Sequence, residues 1–189
     1  MMGTPTTIGS FDDSPAGAGV SDALLAMDAG DLAQSWRRCS LTADFLARYY
    51  SYYFPYREKA KDSISREAAE NSISYILNEL VENTAKYSDA RDARVRVAVH
   101  LRESDILFVV SNHVSEGRAG ELLRIARDLM GGNPEELYMQ QLEKETDASG
   151  LGYLTMINDY GAVLGFKVEK SDDEAYEVTV QVSMRWKEA

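Results

Sequence analysis

Between residues 63 and 101 the spacing of apolar residues changes period. Ile73, Ile76, Leu77, Leu80 and Thr84 recur every three or four residues, as on one face of an α-helix. Val95, Val97, Val99 and Leu101 then alternate with Arg94, Arg96, Ala98 and His100, as in a strand with one buried face. A one-sided helix joined to a one-sided strand buries both apolar surfaces by laying helix on sheet. The helix is expected over 63–88, with Asp62, Ser63 and Ser65 as alternative N-caps.

The rest of the chain extends that layering. Arg102-Glu103-Ser104-Asp105 reads as a turn, and Ile106 to Val110 is continuously apolar, as a central strand would be. Residues 115–149 are polar and broken by Gly117, Gly120, Gly131 and Gly132, with helical patterns near Leu122–Met130 and Pro134–Lys144. Gly150 to Tyr160 reads as another helix. Val163–Lys170 and Tyr176–Trp186 read as a hairpin across Ser171-Asp172-Asp173-Glu174, a solvated turn. The expected class is α+β: a two-layer α/β sandwich with helices on one face of a mixed, mostly antiparallel sheet.

Residues 1–22 are rich in Gly, Pro, Thr, Ser and Asp and are expected to be a flexible tail. Residues 23–62 form an N-terminal helical segment, with one helix over 31–54 capped by Asp31. Its run Tyr49-Tyr50-Ser51-Tyr52-Tyr53-Phe54-Pro55-Tyr56 holds more aromatics than one face can bury. Core packing accounts for most of them, and a homodimer or partner surface is the alternative. Residues 63–189 make up the main domain.

Composition excludes several classes. The 20 basic and 31 acidic residues give a net charge of −11. That charge disfavours nucleic acid and anionic membrane surfaces as partners, and favours basic or neutral proteins. The one cysteine, Cys39, excludes an internal disulfide and a cysteine zinc site. A cytoplasmic setting is expected, with neither a secretory signal nor an apolar run of roughly 20 residues. His100 falls on the exposed phase of its strand and His113 in the loop after the next, so histidine chemistry has little support. No Gly-x-x-x-x-Gly-Lys-Ser/Thr occurs.

Two motifs carry chemistry. In Glu79-Leu80-Val81-Glu82-Asn83-Thr84-Ala85-Lys86-Tyr87, residues Glu79, Asn83 and Lys86 stand at i, i+4 and i+7 and project from one stripe beside the apolar one. A carboxylate can take a proton, an amide oxygen suits Mg²⁺, and an ammonium suits a phosphate. The second motif is Ala148-Ser149-Gly150-Leu151-Gly152-Tyr153-Leu154-Thr155-Met156-Ile157. Glycines at a helix start let a phosphate approach free backbone N–H groups and the positive end of the helix dipole.

In this order, with strands between, the two motifs resemble the N box and second glycine box of the Bergerat-fold (GHKL) ATPases. The resemblance covers roughly residues 63–186 and is nearest to the serine-kinase anti-sigma factors and the SiaB-like protein kinases of bacterial partner-switching modules. It implies Glu79 as general base, Asn83 as Mg²⁺ ligand and Lys86 near the phosphates. Gly150, Leu151 and Gly152 would form the phosphate-facing turn, and 115–149 the ATP lid. One box departs from the pattern. Where the family has Asp-x-Gly-x-Gly after the second central strand, this chain has Ser111-Asn112-His113-Val114, and Asn112 stands in for the adenine-reading Asp.

The resemblance implies an ATP- and Mg²⁺-dependent protein serine/threonine kinase whose partner is an anti-sigma antagonist or sigma-like regulator. The alternative is a non-catalytic binding module of anti-sigma type with an altered nucleotide site. A simple ATPase ranks below both, since no transducer domain accompanies it.

Overall fold

The computed structural model describes residues 4–15, 19–55, 64–88, 94–142, 150–171 and 175–186. In chain order its elements are β1 (Thr6–Gly9), β2 (Ser21–Asp28), α1 (Ala29–Ala33), α2 (Trp36–Ser51), α3 (Arg66–Tyr87), β3 (Arg94–Leu101) and β4 (Asp105–Ser115). They continue with α4 (Glu116–Gly131), α5 (Pro134–Leu142), α6 (Leu151–Tyr160), β5 (Val163–Lys170) and β6 (Ala175–Arg185). The class is α+β, as expected. The strands form one open sheet in the order β1-β5-β6-β4-β3-β2. Every pairing is antiparallel, which corrects the expectation of a mixed sheet.

Register explains why the helices share one face. Val99 lies opposite Phe108, Phe108 opposite Val182, and Leu164 opposite Val182, so these side chains point the same way across four strands. With Val97, Val110, Val180 and Phe166 they form a continuous apolar floor, fully or almost fully buried. Ile73, Ile76, Leu77 and Leu80 of α3 pack on it, as the 3.6-residue period requires. At one end Ala119 of α4 packs with Val114, Val168 and Val178. Ser65 caps α3 by accepting from the Ala68 N–H at 3.2 Å. The other candidate caps, Asp62 and Ser63, lie outside the described residues, as do Tyr56, residues 143–149 and the turn residues 172–174.

The N-terminal region differs most from expectation. Residues 6–9, assigned to a flexible tail, form β1 on the edge of β5, and residues 21–28, split between that tail and a helical segment, form β2 on the opposite edge beside β3. The chain from β1 therefore crosses the face of the sheet on which none of the described helices lies. Gly165 on that face lets Ser10 and Phe11 lie against β5; a Cβ there would meet Ser10 C at 2.7 Å and Phe11 Cα at 3.0 Å. Buried Gln181 receives the crossing: Asp12 N–H donates to its Oε1 and its Nε2 donates to Asp12 O, both at 2.8 Å. Arg102 adds a 2.6 Å bond to Asp12, and Lys167 a 3.2 Å bond to Asp13.

That cover buries His100, expected on an exposed phase. It is 7% exposed, with Nδ1 2.8 Å from Asp22 Oδ1. His113, expected in a loop, lies within β4, which pairs with β6 through Ser115. The single helix expected over 31–54 is broken into α1 and α2 at Gln34 and Ser35, and Asp31 sits inside α1 rather than capping it. Of its aromatics, Tyr50 and Phe54 are core, and the Tyr50 hydroxyl donates to Val99 O at 3.1 Å. Trp36, Phe45, Tyr49, Tyr52 and Tyr53 are exposed.

Candidate functional site

Glu79 and Asn83 lie one turn apart on α3, with Thr84 and Tyr87 continuing the same side toward the end of the helix. Glu79 is half-buried, and loss of solvent pushes its carboxyl above the ordinary range, with Glu82 adding like-charge repulsion. It faces the start of α6. Gly152, the second residue of that helix, leaves room for it: a Cβ there would collide with Glu79 Oε2 and stand 3.1 Å from its Cδ. The two motifs thus meet in space at a point where one needs a carboxylate and the other needs the absence of a side chain.

Gly150 precedes α6 with φ +101°, a left-handed conformation that suits glycine, and its carbonyl accepts the first bond of the helix from Leu154 N–H. Asn83 and Gly150 line one cleft with Asn112, which sits on the β4 floor. Asn112 is 5% exposed, and its Nδ2 donates to Ser88 Oγ at 2.8 Å. Tyr153 of α6 fills the deep end. Burial above all, then Tyr87 and Glu79, hold its pKa far above the usual phenol range. Tyr75 stacks on Tyr160 at 5.1 Å, fixing α3 against α6.

Four expected residues stand apart from the lining, among them Glu79 and Gly152, which pack on each other beside it. Leu151 is half-buried at the start of α6, and Lys86 is exposed with its ammonium 5.5 Å from the centre of the Tyr87 ring. The cation that lines the cleft is Arg118 of α4, 5.3 Å from the same ring and paired with Glu121 at 3.1 Å. Sequence reading missed Arg118, because nothing local links it to α3. Tyr87 was within reach, since it falls four residues after Asn83 on the same stripe. Within 115–142, expected to belong to a lid, Glu116–Gly131 form α4 and Pro134–Leu142 form α5, and α4 supplies the wall with Arg118, Glu121, Leu122 and Ile125.

Counting its mouth, the cleft has about 590 Å³ free of atoms, but only about 60 Å³ admits a water molecule between the walls. That is room for a few water molecules. A drug-sized ligand needs several hundred Å³, so a nucleotide enters only if Tyr87, Arg118 or α4 shifts outward. No cluster of three or more His, Cys, Asp or Glu able to hold a metal occurs among the described residues, and no helix among them is long and apolar enough to cross a membrane. In comparisons with known proteins, no family model and no curated protein sequence matches this chain.

Proposed function

We propose that this chain is a Bergerat-type (GHKL) nucleotide-binding domain acting as a Mg²⁺–ATP-dependent protein serine/threonine kinase in a partner-switching system. The observation that carries the reading is the packing of Glu79 against Gly152, with Asn83, Asn112 and Gly150 around one cleft. Segments far apart in sequence converge there with the residue types phosphoryl transfer needs. The donor set fits a magnesium ion that arrives with its nucleotide. Mg²⁺ usually keeps waters and phosphate oxygens and takes one or two protein oxygens, and Asn83 Oδ1 is the oxygen on offer.

In this reading α6 presents its first backbone N–H groups to phosphate, and Gly150 and Gly152 keep side chains out of the way. Arg118 supplies the positive charge at the wall. Glu79 takes the proton from a partner Ser or Thr hydroxyl as that oxygen bonds to the γ-phosphorus and the bond to the departing ADP breaks. Its raised pKa makes it a stronger base than an ordinary carboxylate. Positioning and charge neutralisation do most of the work of phosphoryl transfer. The exposed aromatic stripe of α2 supports a protein partner, an anti-sigma antagonist or sigma-like regulator, or a second copy of the chain.

A second reading, a non-catalytic anti-sigma-type module, is favoured by the narrow cleft and by β4 running straight into α4 where a glycine pair is expected. Calorimetric titration with ATP separates the two. Mg²⁺-dependent binding that Asn83→Ala abolishes and Glu79→Gln retains supports the kinase. No binding at millimolar ATP sinks it.

A further inference from the structure

On the side away from β1 the sheet ends in β2, and among the described residues no strand pairs with the outer side of β2. The strand is eight residues long and follows β3 without a bulge, residue for residue from Ser21 opposite Leu101 to Asp28 opposite Arg94. It contains no Pro and no Lys, the usual guards of an edge. Its two carboxylates are engaged within the chain, Asp22 with His100 at 2.8 Å and Asp28 with Arg94 at 3.3 Å. Between them Leu24 is 71% exposed. A long, regular, apolar edge of this kind is a template for another strand.

The exposed stripe of α2 lies beside that edge. Thr42 reaches Met27 Sδ at 3.6 Å, and Tyr50 reaches the carbonyl of Val99, which stands opposite Ala23. The helix therefore runs along β2 in the opposite sense. On its other side Asp44 and Ser51 bond to Ser74 and Glu70 of α3. Phe45 and Tyr49 follow Thr42 at i+3 and i+7, so they project from the side of α2 that overhangs the free edge. Tyr53 packs edge-on to Tyr49 at 6.2 Å. With Tyr52 and Arg48 these rings line one open hollow, and Arg48 is the single charged residue of its described lining.

We infer that β2 pairs antiparallel with β2 of a second copy across a two-fold axis, joining two sheets into one and setting the two α2 stripes against each other. A strand paired with itself in this way forms a closed, isologous contact, so it yields a dimer and not a fibre. Residues opposite each other must share a face of the sheet. With the axis at Leu25, Asp22 would face Asp28 of the second copy, like charge against like. With the axis at Leu24, Leu24 meets its own copy and Asp22 meets Ala26. The rings of Phe45, Tyr49, Tyr52 and Tyr53 are 46% to 63% exposed and offer roughly 400 Å² per copy. Leu24, Leu41 and the strand edge bring the total toward the roughly 800 Å² a side that a stable dimer buries. Arg48 needs no carboxylate in this contact, since ring faces of the second copy can hold its guanidinium. Neither the edge nor the stripe lines the cleft, so the pairing needs no nucleotide.

The test is sedimentation equilibrium of the full chain, without nucleotide, over roughly 1–100 μM. A reversible dimer is expected. Leu24→Lys sets two ammonium groups opposite each other and should raise the dissociation constant about tenfold or more. Leu24 is exposed, so the variant should melt with the wild type. Phe45→Ala removes a ring from the stripe and should weaken the dimer by about tenfold, while Met139→Lys, on exposed α5 surface, should leave it unchanged. An equimolar mixture of Leu24→Lys and Leu24→Glu should recover the dimer, each ammonium now facing a carboxylate. A monomer at every concentration leaves the edge to a strand of another protein and overturns the inference. A dimer that Leu24→Lys or Phe45→Ala leaves intact overturns it as well, and so does a mixture that fails to recover.

Discussion

Replacing Gly152 by alanine tests the contact on which the functional reading turns. Gly152 is helical and its φ is not among the positive ones, so alanine meets no backbone strain there. In a helix interior alanine gains about 0.5–1 kcal/mol over glycine. The added Cβ collides with Glu79 Oε2 and lies 3.1 Å from Cδ. The obstacle is the far end of a flexible side chain, which can swing away at about 0.5–1.5 kcal/mol. The two effects nearly cancel, so Gly152→Ala alone is expected to fall within about 1 kcal/mol of wild type, a shift of roughly 2–4 °C at most. In a Glu79→Ala background the clash is gone, and the same substitution should stabilise by about 0.5–1 kcal/mol. Urea denaturation of the four proteins gives the coupling, expected near 1 kcal/mol. Turnover of ATP, measured as γ-phosphate transferred to a partner or to water, should fall about a hundredfold in folded Gly152→Ala, because the base is displaced by an ångström or more. Zero coupling, or full turnover in the alanine variant, refutes the claim that these residues meet as described.

Glu79→Gln removes a carboxylate that burial makes costly to ionise. The folded-state pKa is raised, so the folded protein holds that proton more tightly than the unfolded chain does, and stability is lost as pH rises through the folded pKa. The variant is therefore expected to gain stability over wild type at pH 7 and to lose that advantage below pH 4.5, the ordinary glutamate value; thermal unfolding at several pH values reads this directly. Gly165→Ala meets backbone, not a flexible side chain, and must lift residues 10–12 from β5. Disturbing the paired Asp12–Gln181 bonds and the Ser10–Leu164 bond should cost about 2–3 kcal/mol, with faster amide exchange at Ser10 and Asp12; unchanged exchange there would sink the prediction.

What the sequence disclosed followed how local each signal was. α3, β3, α6 and the β5–β6 hairpin were legible because a single period runs through each, and Glu79 and Asn83 because one helix holds both on one side. β2 was not. Its Ser21-Asp22-Ala23-Leu24-Leu25-Ala26-Met27-Asp28 has helix-forming Ala, Leu and Met and no β-branched residue. Pairing along all of β3 overrides that propensity. β1 is four residues long, and its pairing partners lie at 165–168. His100 followed from the same omission: its strand phase was right, but the segment that covers that phase went unseen. In the site, Arg118 arrives on a separate helix, and only tertiary packing sets it over the Tyr87 ring.

The crossing from β1 to β2 also fixes an order of events during synthesis. Asp12 contacts Gln181, 169 positions later, and β1 has no partner until β5 has been made. During most of translation the earliest residues of the sheet must wait in water, and loop closure over such spans is slow. When β5 and β6 arrive, β1 completes the edge and the crossing seals the bare face in one closing step. A chain cut short before residue 163 would keep both that face and its strand edges open to other chains, the usual route to aggregation. The N-terminal arm thus marks the completed sheet, in place only once β5 and β6 have formed.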